Sequence, residues 1–172
     1  ETASDQQRQF GMHCDGMHFF PLGRGRDGHG EGDHHREQHR DGGQRSERGL
    51  LCVNNEYTHE ELLFSDGQVG AGYTLAKTRK SQAAHGVSIV EAHRQHGRWQ
   101  VVKTSRYGRR ITSNTPMRIS GPAAGHALMK TREFLITDTA STWTGNTTDG
   151  RVCHGTVNNC AHGITPWGTY LT

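Results

Sequence analysis

Residues 86–102 read GVSIVEAHRQHGRWQVV, and this stretch carries the strongest fold signal in the chain. Its two apolar runs, Val87–Val90 and Trp99–Val102, lie on either side of Gln95-His96-Gly97. Two strand-like runs joined by a short turn that contains Gly are typical of a β-hairpin. We therefore predict two antiparallel strands here, joined at Gly97.

The same kind of pattern continues outward from the hairpin in both directions. Leu50–Val53 and Arg151–Val157 are short runs of strand type, and Trp167–Thr172 reads as the opening of another strand. No helical period extends beyond about three turns, which argues against a helix bundle. The sequence therefore predicts a mainly β fold.

Two short helices are expected within this β-rich chain, one near Glu60 and one near Gln82. Thr58 and Glu61 have the spacing of a capping box, in which each side chain accepts a hydrogen bond from the other residue's backbone N–H. This spacing predicts that Thr58 caps the first helix.

Composition limits the classes of protein that the chain can represent. Its 172 residues fit one ordinary domain, 31% are hydrophobic, and the net charge is only +3. No stretch approaches the roughly 18 consecutive apolar residues of a membrane-spanning helix. Four cysteines without close spacing do not indicate a disulfide scaffold. We expect neither a membrane partner nor a nucleic-acid partner.

Residues 23–48 contain no apolar side chain. The segment is rich in His, Gly and Arg, and its six Arg balance three Asp and three Glu. Because such a segment buries nothing, it cannot offset its ordering entropy, and we predict a disordered insertion. Its four histidines also leave open loose metal binding.

Two constellations could bind a cation. The first, in residues 10–20, contains His13, Cys14, Asp15 and His18, and is either a metal site or a polar strand. In the second, Glu56 follows Asn54-Asn55 at a strand end, where oxygen ligands suit a hard cation. The alternative for the second is the acidic first turn of a helix, which the helix dipole favours by itself.

A third constellation, residues 158–169, places Cys160 among amides and turn residues. A thiolate there could bind a metal or act as a nucleophile. A zinc site formed by Cys153, His154, Cys160 and His162 is a weaker alternative, because its spacing is unusual for zinc. Basic residues between Lys77 and Arg118 are spread among acidic ones, which indicates a solvated face, in which one Arg could reach a phosphate.

Five blocks of sequence stand out in the chain, in this order: FGMHCDGMHFFPL, GLLCVNNEYTHEELLF, RKSQAAHGVSIVEA, SRYGRRITSNTPMRISGPAAGHALMKT and NNCAHGITPWGTYLT. Together they resemble the N-terminal part of the PhoX-type alkaline phosphatases. Asn55 stands where that family usually has His, and Cys14 where it more often has His or Asn.

The resemblance implies a partial β-propeller with extra subdomains, in an exported, periplasmic or secreted, phosphomonoesterase. It also implies iron and calcium as cofactors and a small-molecule phosphate monoester as substrate. By motif position, Cys160 would be the thiolate ligand of iron and Glu56 a metal-binding carboxylate. Asn54 would face the metal and phosphate site. The resemblance assigns no nucleophile to this chain.

We expect residues 1–172 to be the N-terminal portion of such a phosphatase domain, with 23–48 as the insertion. The family's next block, a Cys-Glu-Glu-Asn sequence, would supply another carboxylate ligand, so we expect these residues alone to be a poor catalyst. The alternative is a non-catalytic metal-binding module or a degenerate relative.

Overall fold

The computed structural model describes residues 2–23, 46–67, 72–136 and 141–172. Strands outnumber the short helices among these residues, so the predicted mainly β class is confirmed. The elements in chain order are α1 Ala3–Gln6, β1 Cys14–Pro21, β2 Arg48–Asn55, α2 Glu60–Leu63, α3 Leu75–Ala84, β3 Gly86–Gln95, β4 Arg98–Val101, β5 Arg109–Ile111, β6 Pro116–Arg118, a 3-10 turn Ala127–Met129, β7 Arg132–Ile136, β8 Ser141–Thr147, β9 Val152–His154, β10 Gly163–Ile164 and β11 Tyr170–Leu171.

The main sheet has five antiparallel strands with β3 at its centre. On one side β3 pairs with β2 along eight positions, and β1 pairs with the far edge of β2. On its other side β3 pairs first with β5 and then with β4. The long strand β3 therefore pairs directly with β2, β4 and β5, and β1 joins the sheet through β2.

The predicted hairpin is confirmed as β3–β4. Gln95 pairs with Arg98, which leaves a two-residue turn of His96 and Gly97. Both turn residues have positive φ, 49° and 76°. A turn of this kind matches the right-handed twist of the flanking strands, and Gly adopts its second position without steric cost.

The remaining strands form three two-stranded sheets, β6 with β9, β7 with β8 and β10 with β11. The predicted runs near Arg151 and Trp167 are therefore present as β9 and β11. Within the described ranges no sheet closes on itself. The β-propeller implied by the resemblance stays a prediction.

Helices form near Glu60 and Gln82 as predicted, but the capping box is wrong. Helix α2 begins at Glu60, and its N-cap residue is His59, which makes no side-chain capping bond. The Thr58 hydroxyl instead donates to Glu60 Oε1 at 2.8 Å. Thr58 therefore lies one position before the N-cap and bonds to a side chain instead of capping the helix.

Two small clusters form the core. Cys52, Val87 and Ile89 are buried on one face of the main sheet, with Phe20, Leu50, Ile111 and Tyr170 packed against them. Leu63, Phe64 and Ala84 form the second cluster beneath α2 and α3. Tyr170 joins the first cluster from β11.

Most of the predicted insertion, residues 24–45, lies outside the described residues. At its end, Arg48 is already the first residue of β2, so the strand begins within the predicted segment. No helix in the described part of the chain is long and apolar enough to cross a membrane.

Candidate metal centre

Three segments that are distant in sequence bring together two carboxylates and a thiol. Asp15 lies in β1, Glu56 directly follows β2, and Cys160 lies in the loop between β9 and β10. One ligand atom from each, two carboxylate oxygens and Sγ, lies within 4.8 Å of the others. The structure thus brings together the two residues that the resemblance implied as metal ligands and adds Asp15.

The loop that carries Cys160 is attached to β1 by a backbone hydrogen bond. Gly16 N–H donates to the Cys160 carbonyl at 3.0 Å. A Cβ at Gly16 would lie 2.9 Å from that same carbonyl oxygen and from the side chain of His162. Only glycine allows this approach, and the irregular β1–β2 register between Cys14 and Met17 accommodates it.

Glu56 is held from both sides by main-chain contacts. Its N–H donates to the His13 carbonyl at 3.0 Å, and its carbonyl accepts from Asn158 N–H at 3.1 Å. Both partners have positive φ, 48° at His13 and 56° at Asn158. These two turns bring the chain from both directions to the end of β2 and direct Cys160 toward Glu56.

The Cys160 thiol donates to Glu56 Oε1 at 2.8 Å. This hydrogen bond, together with partial desolvation of the thiol and the negative charges of Glu56 and Asp15, raises the pKa of the Cys160 thiol. The thiol is therefore protonated at neutral pH when the cluster holds no cation. A cation would reverse this preference, because it favours the thiolate over the thiol.

Asn54, expected to face the metal and phosphate, has a fully buried side chain. Its Nδ2 donates to the Ala161 carbonyl at 3.0 Å and to the Cys160 carbonyl at 3.3 Å. Its neighbour Asn55 is equally buried and accepts a hydrogen bond from Ser88. The contact of Asn54 with a substrate stays a prediction.

The other candidate residues are placed elsewhere. His13 contacts His59, with Nε2 and Nδ1 2.8 Å apart, and its ring stacks on Tyr57. The four residues of the zinc alternative do not form a cluster in the described part of the chain, since Cys153 pairs with Met117 in a different sheet.

One member of the predicted basic face is turned inward. Arg110 donates to the carbonyls of Ala83, Ala84 and His85 at the end of α3, the shortest at 2.9 Å. Burial lowers the pKa of Arg110 to about 10, so the guanidinium stays charged at neutral pH. Arg110 caps α3, because it satisfies carbonyls that the helix leaves free, and it also donates to the carbonyls of Gln9 and Val87.

Sequence reasoning did not select Asp15 as a site residue, although it lay within the first candidate constellation. In a regular strand Asp15 would share a face with His13, but His13 precedes β1 and has a left-handed backbone. The signal that could have identified Asp15 is the Gly16 that follows it, since a close backbone approach often requires glycine.

Fold and cluster together define a mainly β protein with a candidate metal centre of two carboxylates and one thiol. Residues 1–172 match the family model described as alkaline phosphatase PhoX. The chain belongs to this family, which confirms the resemblance noted in its sequence.

A solved structure of Pseudomonas fluorescens PhoX in complex with vanadate, a transition-state analogue, is similar to this chain with 39% sequence identity and a TM-score of 0.71. The match covers 99% of this chain and 23% of the Pseudomonas chain, so this chain spans less than a quarter of that protein. A comparison with curated protein sequences finds no match.

Proposed function

We propose that this chain supplies part of the active site of a metal-dependent phosphomonoesterase. Asp15, Glu56 and Cys160 would hold the cations, with iron at the thiolate and calcium at the carboxylates. The observation that carries the proposal is the 2.8 Å contact between Cys160 Sγ and Glu56 Oε1. Family membership and the vanadate complex of the Pseudomonas protein support phosphoryl chemistry.

The donor set fits those cations. Carboxylate oxygens are the ligands of hard ions such as calcium, and thiolates suit iron. The three groups converge within 4.8 Å, and Cys160 Sγ donates its proton to Glu56 Oε1. Loss of that proton would add a thiolate charge beside the two carboxyl groups, which a cation would neutralise.

Phosphate-monoester hydrolysis is among the slowest uncatalysed reactions, and the bound cations would supply charge neutralisation for the phosphoryl oxygens. The chain's own residues would hold the ligand groups of this site in position. Glu56 holds the thiol proton at Sγ by accepting its hydrogen bond, and Gly16 holds the loop close enough for Cys160 to reach the carboxylates. By the same resemblance we propose a periplasmic or secreted location and a small phosphate monoester as substrate.

A cobalt titration tests metal binding by this chain, because a thiolate bound to Co²⁺ gives a characteristic absorption band. We expect the band in the wild type, its loss in Cys160→Ser, and a weaker affinity in Glu56→Gln. The matched controls are Cys153→Ser and Glu61→Gln, which lie outside the cluster and should keep the band.

Hydrolysis of p-nitrophenyl phosphate with calcium and iron tests the catalytic part, on this chain and on the longest protein expressed from its gene. Activity that disappears in Cys160→Ser and Glu56→Gln supports the phosphatase. A normal cobalt band without hydrolysis in either protein favours the non-catalytic metal-binding module. No band in the wild type overturns the proposal.

A further inference from the structure

Tyr170 connects the hydrophobic core with the candidate metal centre. Its ring packs against the core cluster and stacks on His162 with ring centroids 5.8 Å apart. Its hydroxyl lies 2.9 Å from Asn54 Oδ1 and 3.0 Å from the Gly16 carbonyl oxygen. The ring is thus anchored in the core while the hydroxyl reaches β1 and β2 next to the cluster.

Asn54 extends this connection to the loop that carries Cys160. With Oδ1 facing Tyr170, its Nδ2 donates to the carbonyls of Cys160 and Ala161. The side chain is fully buried, so water does not compete for these bonds. A buried amide whose oxygen and nitrogen both have partners holds those partners in one arrangement.

The three segments that carry Asp15, Glu56 and Cys160 therefore meet at Tyr170 and Asn54. Gly16 is the neighbour of Asp15, Asn54 lies two positions before Glu56, and the carbonyl of Cys160 itself accepts from both Gly16 N–H and Asn54 Nδ2. None of these bonds uses the Asp15, Glu56 or Cys160 side chains, which stay available for a ligand.

We propose that Tyr170 and Asn54 are positioning residues that hold Cys160 against Asp15 and Glu56, so that the cluster is assembled before a cation arrives. A buried partner that orients a metal-binding group contributes to affinity without touching the metal. The effect on metal binding rests on the proposed function, whereas the ordering of the loop does not.

Burial, together with the negative charges that Cys52 and Asp15 can carry, raises the pKa of Tyr170 to about 12. The hydroxyl therefore keeps its proton at any pH at which the cluster would operate, and it remains a donor. A protonated hydroxyl is what the contacts with Asn54 Oδ1 and the Gly16 carbonyl require, because both of these atoms are acceptors.

The test is Tyr170→Phe, which removes the hydroxyl and keeps the ring in the core. We expect the amide hydrogen of Gly16 to exchange about fivefold faster, the effect of one lost hydrogen bond. The amides of Cys52 and Ile89, in the middle of the sheet, should keep their protection. Cobalt affinity should fall about tenfold, as is common for a lost outer partner of a metal ligand.

Tyr107→Phe is the matched control, because within the described residues the Tyr107 hydroxyl hydrogen-bonds only with Arg106. It should leave Gly16 exchange and cobalt affinity unchanged. Asn54→Asp is the second variant: it keeps an oxygen for Tyr170 but places an acceptor against the Cys160 and Ala161 carbonyls. Asn54→Asp should release the loop that carries Cys160 and speed up exchange of the Gly16 amide, as Tyr170→Phe does.

Unchanged exchange at Gly16 in both variants overturns the proposal. So does an equal loss of protection at Gly16, Cys52 and Ile89, because that pattern is a general loss of stability. If the wild type binds no cobalt, the proposed function fails, and Gly16 exchange alone still decides whether Tyr170 and Asn54 order the loop.

Discussion

The thiol of Cys160 donates a 2.8 Å hydrogen bond to the carboxylate of Glu56, a residue 104 positions earlier in the chain. The contact joins the end of a strand in the main sheet to a loop outside it. Asp15 completes the group, and the three side chains form a site whose charge a cation would balance.

The first prediction concerns the protonation of Cys160. Because Glu56 stabilises the neutral thiol and raises its pKa, alkylation by iodoacetamide should begin at a higher pH than for an ordinary thiol. Glu56→Gln should move the alkylation profile to lower pH. The measurement uses a Cys14→Ser background, since Cys14 and Cys160 are the exposed cysteines.

The sign of the linked stability follows from the same shift. A thiol pKa that is raised in the folded state stabilises the fold at pH values below the thiol pKa of the unfolded chain. This contribution is lost as the pH rises through the thiol pKa of the folded state.

Glu61→Gln, on the exposed side of α2, is the control for the alkylation experiment and should not move the alkylation profile. An unchanged profile in Glu56→Gln would contradict the prediction.

The second prediction concerns the close approach at Gly16. Gly16→Ala places a Cβ 2.9 Å from the Cys160 carbonyl oxygen, so the loop must shift away from β1. Cobalt affinity should fall about tenfold or more, as expected when the support of a metal ligand is displaced. Gly163→Ala is the control, because a Cβ there meets no atom within 4 Å. Equal affinities in the two variants would show that the approach does not position Cys160.

Contacts between residues that are close in sequence could be predicted, and contacts between distant residues could not. The β3–β4 hairpin was predictable because its turn residues and strands lie within one short stretch. Glu56 and Cys160 were each a candidate ligand by their local surroundings, but only the family resemblance assigned both to a metal site, since no local pattern indicates a contact across 104 positions.

Local rules failed where a side chain found an unexpected partner. The capping box failed because the Thr58 hydroxyl bonds to Glu60 rather than to the backbone. Asp15 was passed over because strand alternation does not extend through the irregular register that follows Cys14. The position of Asn54 at the metal and phosphate site came from the family resemblance and stays a prediction; in the structure its side chain hydrogen-bonds to Cys160, Ala161 and Tyr170.

A third prediction concerns the cap that Arg110 provides for α3. Arg110→Met removes the donors for the carbonyls at the helix end and keeps most of the apolar stem. Leaving buried acceptors without a partner should lower the free energy of unfolding by about 1–3 kcal/mol. Urea denaturation measures this. Arg109→Met is the control, because in the part of the chain that the structure describes the exposed Arg109 side chain donates only to the Tyr107 carbonyl. Equal stability of the two variants would refute the capping role.

X-ray absorption of the cobalt-loaded chain tests the central claim most directly. We predict one sulfur neighbour at a metal–thiolate distance, about 2.3 Å in the comparable case of zinc. The sulfur signal should persist in Cys14→Ser and disappear in Cys160→Ser, with oxygen neighbours reduced in Glu56→Gln. A sulfur signal that survives Cys160→Ser, or a loaded chain without any sulfur neighbour, would contradict the assignment of this cluster as the metal centre.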